Sequence, residues 1–224
     1  VACLLFVLLS PAVSAAGVRR PYLGGSLVPS LEEASALRGI ELAARTVELV
    51  DLARRAVEST QPLAERNGCV VTVKAAAGGC VAAVDARRID RVLRNLVVNA
   101  VEHGEGRPIE VSVAWDDDAV AIGVRDHGVG LRPGESSLVF NRFWRADPAR
   151  ARTTGRTGLG LAISLEDARL HGGWLQAWGE PGMGSQFRLT LPRVAGGVVA
   201  ESPLPLEPLD AADGRRMPVA APFL

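Results

Sequence analysis

Residues 153–163 combine three glycines with the start of a helical pattern: Thr-Thr-Gly-Arg-Thr-Gly-Leu-Gly-Leu-Ala-Ile. Glycines let backbone amides approach a ligand closely, and the first turn of a helix adds unpaired N–H groups and the positive end of the helix dipole. This pattern is typical of a phosphate-binding turn, although glycines before a helix also form ordinary tight turns. Lys74 is the only lysine, which excludes a P-loop, so arginine or a metal ion would have to balance bound phosphates.

Two asparagines, Asn95 and Asn99, lie four residues apart and therefore on one side of a predicted helix that begins after Asp85. Asparagine is a poor helix former, and its amide oxygen is a neutral, hard ligand suited to Mg²⁺, which needs few protein ligands. Asn95, one turn before Asn99, would orient it or reach a phosphate. The alternative is that both side chains simply form hydrogen bonds at the surface.

Asp126 ends a predicted strand and is followed by Gly128 and Gly130. An ionised carboxylate in this place accepts a hydrogen bond from the exocyclic amine of adenine, and the glycines let the ring lie against the backbone. An ordinary Asp-Gly turn explains the same residues equally well.

Arginines crowd around Trp144, at the following positions: Arg142, Arg145, Arg150, Arg152 and Arg156. Arginine forks pair well with phosphate oxygens, but a solvated basic loop has the same composition. His103, at the end of the helix that carries the asparagines, is either a phosphate contact or a cation that complements the helix dipole. These residues extend the candidate site beyond the glycines.

The elements that position these residues follow from hydrophobic periodicity. The pattern predicts helices over 31–68, 86–103 and 161–170, a short element over 136–140, and strands over 69–74, 81–84, 109–115, 120–124, 174–178 and 185–191. On the last helix the predicted apolar positions are Leu161, Ile163, Leu165, Ala168 and Leu170. Antiparallel neighbours and helices with one apolar face predict an α+β fold: a two-layer α/β sandwich with one mixed sheet covered by helices on one side.

Four regions are expected along the chain: an apolar segment over 1–30, a helical remnant over 31–45, a domain over 46–193, and a disordered, proline-rich tail over 194–224. Residues 1–16 are nearly all apolar, as in a signal peptide or in the end of a membrane span followed by Arg19 and Arg20. No basic residue precedes this run, and it is too short to span a bilayer. A truncated span or a misread start fits equally well.

The composition limits which classes of partner and site are expected. Acidic and basic side chains balance, with 25 of each, so nothing argues for a nucleic-acid partner. The cysteines Cys3, Cys69 and Cys80 are odd in number and lack metal-ligand spacing, so we expect small buried hydrophobes in a reducing compartment.

The order of the motifs is more specific than any one of them. Four segments strongly resemble the N, G1, F and G2 boxes of sensor histidine kinases: Asn-Leu-Val-Val-Asn-Ala-Val-Glu-His (95–103), Asp-His-Gly-Val-Gly (126–130), Phe-Asn-Arg-Phe-Trp-Arg (140–145) and Thr-Gly-Leu-Gly-Leu-Ala-Ile (157–163). Gly-Met-Gly-Ser-Gln-Phe (182–187) resembles the glycine turn that closes that domain. The resemblance covers residues 45–192 and implies a Bergerat (GHKL ATPase) fold that binds ATP.

By this resemblance, Asn99 would hold Mg²⁺ with Asn95 beside it, and Asp126 would bind adenine in a pocket shaped by Gly128 and Gly130. The resemblance assigns phosphate binding to Thr157, Gly158, Leu159, Gly160 and Leu161. Arg145 and Arg142 would approach the γ-phosphate beneath a lid over 144–157, with His103 as a further nucleotide contact. Asn95, Asn99 and Arg145 would form the catalytic set, since phosphoryl transfer requires chiefly positioning and charge neutralisation.

Three departures from the family pattern limit what carries over. Arg156 stands in place of a lid glycine, which predicts a stiffer lid, and Glu102 replaces a basic residue that often contacts phosphate. No segment like His-Glu-Leu-Arg-Thr-Pro occurs, and none of the three histidines has the surroundings of a phosphoacceptor. Residues 31–45 resemble at most the tail of the dimerisation helix that normally carries it.

We therefore expect a catalytic module that phosphorylates a histidine on a separate dimerisation domain, with a response regulator as a further partner. A need for ATP places it in the cytoplasm, with membrane attachment through the N-terminal segment left open. The alternative is a non-catalytic ATP-binding remnant that acts by binding partners.

Overall fold

A computed structural model describes residues 42–76, 78–145 and 158–212 of the chain. The helices in these ranges are α1 (Leu49–Arg66), α2 (Ala86–His103), α3 (Glu135–Leu138), α4 (Gly160–Leu170) and α5 (Leu209–Ala212). The strands are β1 (Arg45–Glu48), β2 (Val71–Ala75), β3 (Val81–Val84), β4 (Ile109–Trp115), β5 (Ala119–Arg125), β6 (Trp174–Glu180) and β7 (Gly184–Pro192). Most of these elements are those that the sequence predicts.

Five strands form a mixed sheet in the order β2-β4-β5-β7-β6. β2 runs parallel to β4, and the other neighbours are antiparallel. The predicted mixed sheet is confirmed with one correction, because β3 pairs with β1 in a separate two-stranded sheet. β3 has this partner because residues 45–48, predicted as helix, are extended, and α1 begins only at Leu49.

The central strands turn their apolar residues toward the helices. Those of β5 and β7 lie opposite one another in three pairs: Val120 with Leu191, Ile122 with Leu189, and Val124 with Phe187. All six are at most 1% exposed and belong to the same core cluster as the buried faces of α1 and α2. Burying one such side chain contributes about 1.5–3 kcal/mol, so this layer of contacts fixes which face of the sheet the helices cover.

The contact between α2 and α4 includes buried polar side chains. The predicted apolar face of α4 is confirmed at Leu161, Leu165 and Ala168, which pack in or against the core, and is wrong at Ile163. Ile163 is 39% exposed, whereas Ser164 and Asp167 are buried. The Asp167 carboxylate accepts hydrogen bonds from Arg88 (2.9 Å) and Arg91 (3.0 and 2.9 Å). Two guanidinium groups offset the cost of burying one carboxylate, so charge pairing joins the two helices.

The amino end of α2 is capped by Asp85, as predicted. Its carboxylate accepts hydrogen bonds from the N–H groups of Arg87 and Arg88. The Asp85 N–H donates to Nε2 of His171 at 3.0 Å, and Nδ1 of His171 lies 2.6 Å from the carbonyl oxygen of Asp167. Because Nε2 accepts, the ring proton lies on Nδ1, and His171 is a structural link between the ends of α2 and α4.

Two of the cysteines, Cys69 and Cys80, are buried free thiols, which confirms their prediction as small hydrophobes. Burial raises the pKa of Cys80 to about 11. Burial also raises the pKa of Cys69. Cys3 lies outside the described residues.

Residues 199–212, part of the tail predicted to be disordered (194–224), lie against the face of the sheet that the helices leave open. Gln186 Nε2 donates to the carbonyl oxygens of Pro205 (3.1 Å) and Leu206 (2.9 Å). This corrects the prediction for these residues, and the reason is physical: a chain without hydrophobic periodicity is held through its backbone carbonyls when a sheet offers polar donors. Residues 199–212 are termed the C-terminal strap below.

The predicted N-terminal apolar segment (1–30) and residues 213–224 lie outside the described residues. None of the helices in the ranges described above combines the length and the apolar composition that a membrane crossing requires.

Gly130 and Gly182 offer a matched test of how closely the loop after β5 packs on β6. Both have a φ of +73°, but a Cβ on Gly130 would lie 1.8 Å from the carbonyl oxygen of Glu180, whereas one on Gly182 would meet nothing within 4 Å. We expect Gly182→Ala to lower the free energy of unfolding by about 1 kcal/mol, through backbone strain alone. Gly130→Ala adds overpacking and should lower it by about 3 kcal/mol. Urea denaturation measures both, and equal losses would contradict the close packing.

Candidate functional site

Helix α2 carries three predicted site residues, Asn95, Asn99 and His103, at intervals of four residues. All three side chains are half-buried. A rise of about 1.5 Å per residue separates neighbouring members by about 6 Å along the helix and the outer two by about 12 Å. The helix therefore presents them as one row, and the surrounding elements can be placed relative to that row.

The glycine-rich start of α4 lies beside the first member of the row. Asn95 Nδ2 donates to the carbonyl oxygen of Gly160 and to Ser164 Oγ, both at 3.1 Å. Ser164 Oγ in turn donates to the Gly160 carbonyl at 2.9 Å. A Cβ on Gly160 would lie 3.5 Å from Asn95 Cγ, so the two residues are in contact. Asn95 thus fixes the first turn of α4 against α2.

The loop that carries Asp126 lies beside the last member. The Val129 N–H donates to the carbonyl oxygen of His103 at 3.2 Å. A Cβ on Gly128 would lie 1.7 Å from that oxygen, so only glycine fits there. Glycine is also required at position 130, because the loop there comes close to β6. The predicted glycines therefore have a packing role, which places the Asp126 loop against the end of α2.

Asp126 is 1% exposed, and its carboxylate accepts hydrogen bonds from the loop that follows it and from the start of β7. Its Oδ1 accepts from the N–H groups of Gly128 (3.0 Å) and Ser185 (3.3 Å), and its Oδ2 accepts from Ser185 Oγ. A carboxylate has about four lone-pair positions, so one position on Oδ2 is left for a ligand donor. A Cβ on Gly184 would lie 2.1 Å from the Asp126 carbonyl oxygen, which makes the start of β7 as closely packed as the loop.

Ser185 is a site residue that the sequence reasoning did not single out. The segment 182–187 was predicted only as a closing glycine turn, and the hydroxyl within it binds Asp126 from 59 residues away. The sequence offered one signal for it. Ser185, whose side chain can form hydrogen bonds, directly follows Gly184, the glycine that packs against the Asp126 backbone.

Asn99 lies midway between these two contacts. No side-chain hydrogen bond of Asn99 is found within the described ranges, so its amide oxygen is available to a ligand. Among the same residues no group of three or more His, Cys, Asp or Glu side chains converges on a metal position. A magnesium ion held here would therefore have Asn99 as its protein ligand, with phosphates and water completing its shell, as Mg²⁺ tolerates.

The first glycine of the G2 segment and the F segment touch through their backbones. The Phe143 N–H donates to the carbonyl oxygen of Gly158 at 3.1 Å, and both residues have positive φ, +64° and +68°. Leu159 precedes α4 without a side-chain cap, so the first-turn N–H groups of α4 have no capping side chain. Leu161 packs against the core. Thr157 and most of the predicted lid (146–157) lie outside the described residues.

The predicted arginines differ in their surroundings. The Arg142 side chain is 70% exposed, and its guanidinium pairs with the Glu166 carboxylate on α4 at 3.2 Å. Arg145 is half-buried at the end of the F segment. Arg150, Arg152 and Arg156 lie outside the described residues. The structure therefore brings together the row on α2, the Asp126 loop and the start of α4, and it leaves Arg142 at the periphery.

Comparison with known proteins agrees with this geometry. Residues 84–195 match the model of the histidine kinase-, DNA gyrase B- and HSP90-like ATPases. The chain belongs to this family. The sensor histidine kinase MtrB of Mycolicibacterium paratuberculosis is 55% identical over 169 residues, and that of Mycobacterium tuberculosis is 54% identical over the same length. Each alignment covers 75% of this chain and 30% of the relative, so the chain spans less than a third of the length of these relatives.

Solved structures of the ATPase family share the fold. Full-length ShkA in complex with AMPPNP matches with a TM-score of 0.62 and 26% identity, covering 77% of this chain and 35% of that one. The nucleotide-free catalytic domain of the histidine kinase ThkA matches with a TM-score of 0.61 and 22% identity, covering 70% and 98%. Together with the mixed sheet, these matches confirm the predicted α+β Bergerat-type fold.

The two asparagines of α2 give opposite expectations for the same substitution. Asn95→Asp replaces a donating amide with a carboxylate that faces the Gly160 carbonyl oxygen, so we expect a loss of about 2 kcal/mol of stability. Asn99→Asp breaks no hydrogen bond among the described residues and should change stability by less than about 0.5 kcal/mol. Thermal unfolding of both variants without ligand measures this, and a large loss for Asn99→Asp with none for Asn95→Asp would contradict the assignment.

Proposed function

We propose that this chain is the ATP-binding catalytic domain of a two-component sensor histidine kinase, and that it transfers the γ-phosphoryl group of Mg-ATP to a histidine on a dimerisation domain. The observation that carries the proposal is the row on α2, tied at one end to the start of α4 and at the other to the Asp126 loop. A nucleotide that reaches from Asp126 to the glycine turn must pass Asn99.

Each end of the row carries groups suited to one part of ATP, the base at one end and the phosphates at the other. Asp126 binds the exocyclic amine of adenine through its remaining Oδ2 position, in a pocket shaped by Gly128 and Gly130. The glycine turn and the first turn of α4 supply N–H groups to the phosphates. This assignment covers Thr157, Gly158, Leu159, Gly160 and Leu161. His103, next to the loop, is a further nucleotide contact.

Asn99 holds Mg²⁺, and Asn95 positions the glycine turn that faces it. The metal, when bound there, would supply positive charge that offsets the charge developing on the phosphates during transfer. Arg145, from the F segment, supplies positive charge to the γ-phosphate. Arg142 would join it only after releasing Glu166, so we assign Arg142 the smaller role. In this scheme the catalytic residues are Asn95, Asn99 and Arg145.

Two comparisons support nucleotide binding at this site. The family match covers every described residue of the proposed site. ShkA, similar in fold and more than 25% identical, was solved in complex with AMPPNP. The likeness to MtrB supports a kinase role, with a response regulator as a further partner.

The remaining assignments concern the whole protein. We propose that residues 46–193 form the catalytic domain, that residues 31–45 continue a dimerisation region, and that the domain acts in the cytoplasm where ATP is available. Attachment to the membrane through residues 1–30 is a further proposal, which rests on their apolar composition.

Substitutions at the two ligand positions test the site. Asn99→Ala and Asp126→Asn should each weaken binding of a non-hydrolysable ATP analogue in Mg²⁺ at least about tenfold, or about 1.4 kcal/mol. With Mg²⁺ chelated, the Asn99→Ala loss should disappear because that residue acts through the metal, while the Asp126→Asn loss should persist. Isothermal titration measures both, with exposed Glu58→Gln as the charge control. Wild-type affinity for both variants would contradict the proposal.

The second candidate function is that of a non-catalytic ATP-binding remnant. A transfer assay distinguishes it from the catalytic domain proposed above. Alone with labelled ATP, the chain should acquire no acid-labile phosphate, since none of its histidines resembles an acceptor. Adding the dimerisation domain of an MtrB-type kinase should yield phosphohistidine on that domain, and Asp126→Asn should abolish it. Intact nucleotide binding without any transfer would favour the remnant.

A further inference from the structure

The C-terminal strap runs along β7 toward the end of the sheet that bears Asp126. Its contacts follow the strand in reverse order: Ser202 meets Thr190, the Leu204 carbonyl oxygen accepts from Arg188, and the Pro205 and Leu206 carbonyl oxygens accept from Gln186. These β7 side chains lie on the face opposite to Phe187 and Leu189. The strap therefore packs on the polar face of the sheet, and it ends near the carboxyl end of β5. It also lies beyond residue 195, where the family match stops.

The strap ends at Asp210, which contacts the residues on both sides of Asp126. Asp210 Oδ2 accepts a hydrogen bond from Arg125 Nη2 at 2.9 Å and lies 3.3 Å from His127 Nε2. His127 Nδ1 lies 2.9 Å from the carbonyl oxygen of Pro108. Because that carbonyl can only accept, Nδ1 carries a proton, and Nε2 donates to Asp210 when the ring is protonated.

Arg125 connects the strap to the turn before Ser185, the residue that binds Asp126. Its side chain is 6% exposed, its guanidinium lies 5.2 Å from the ring centroid of Trp178, and Nη2 also donates to the carbonyl oxygen of Met183 at 2.8 Å. Met183 belongs to the turn that leads into Ser185, the partner of Asp126. The two carboxylates thus act on the same short stretch of backbone from opposite faces of the sheet.

The Asp210 carboxylate balances the charge of the buried Arg125 guanidinium. Nε and Nη1 of Arg125 are buried and without a hydrogen-bond partner among the described residues. Burial raises the pKa of the Asp210 carboxyl, but the hydrogen bond and charge of Arg125 and the charge of His127 outweigh it and lower the pKa below its ordinary value. Asp210 is therefore ionised at neutral pH. Without it, a buried guanidinium loses its carboxylate partner, and the end of β5 must rearrange to hydrate it.

We propose that Asp210 is a positioning residue of the nucleotide site, through which the C-terminal strap holds the backbone on both sides of Asp126. The inference rests on the proposed function, in which Asp126 contacts adenine. It assigns to the strap a part in base recognition, although no strap residue touches the base.

The test compares Asp210→Asn with Glu207→Gln, a matched removal of one charge from an exposed strap residue. Affinity is measured on the full chain with the adenosine and guanosine forms of a non-hydrolysable triphosphate analogue. Asp210→Asn should weaken the adenosine form about fivefold and the guanosine form far less, because only base recognition depends on Asp126. Lost stability alone would weaken both equally. Glu207→Gln should match the wild type.

A second variant and a second measurement guard against misfolding. Gln186→Ala removes the donor to two strap carbonyls without exposing a buried charge, and it should weaken the adenosine form about twofold. Without nucleotide, the amide resonances of Gly128 and Ser185, which donate to Asp126, should shift in Asp210→Asn and stay in place in Glu207→Gln. Unchanged affinity and unchanged resonances in the folded variants would overturn the inference. If the wild type bound no nucleotide, the proposed function would fail, while the resonances would still decide the strap contact.

Discussion

Two contacts on α2 set the dimensions of the site. At one end, the loop after β5 comes so close to the His103 carbonyl oxygen that a Cβ on Gly128 would lie 1.7 Å from it. At the other end, Asn95 holds the first turn of α4 through the Gly160 carbonyl. A helix is stiff, so fastening both elements to it fixes their separation, and Asn99 lies between them without a competing hydrogen bond among the described residues. The rest of the fold keeps α2 in place.

Buried carboxylates hold the elements that these contacts bring together. Asp126 and Asp167 are both 1% exposed, and each would be costly to bury alone. The Asp126 carboxylate is satisfied by Gly128 in its own loop and by Ser185 of β7, and that of Asp167 by two arginines of α2. The charge pairs at Asp167 and the hydrogen bonds of Asn95 therefore join α4, the helix that follows the glycine turn, to α2. Stability and ligand geometry depend on the same residues here.

How far the sequence predicts this arrangement depends on the kind of interaction. The central strands and α2 are predictable because their apolar residues recur with the period of the element, as Val120, Ile122 and Val124 do. The polar part of the buried face of α4 is not predictable in this way, because Ser164 and Asp167 are buried only where Asn95, Arg88 and Arg91 meet them, more than 65 residues earlier in the chain.

The same distinction applies to the site. The glycines and Asp126 stand out as motifs, whereas Ser185 matters only through a contact 59 residues away. The strap escapes prediction because backbone carbonyls of Leu204, Pro205 and Leu206 hold it to β7, and these leave no pattern in the side chains.

The central claim is that a magnesium nucleotide lies along α2 with the metal at Asn99. Paramagnetic relaxation measured with Mn²⁺ in place of Mg²⁺ tests it most directly, because the broadening of amide resonances falls steeply with distance from the metal. With the ATP analogue bound, we expect the side-chain amide of Asn99 to be broadened most, that of Asn95 and the amides of Gly158–Gly160 less, and those of the Asp126 loop least. Broadening centred away from α2, or equal at Asn99 and at residues of α1, would contradict the account.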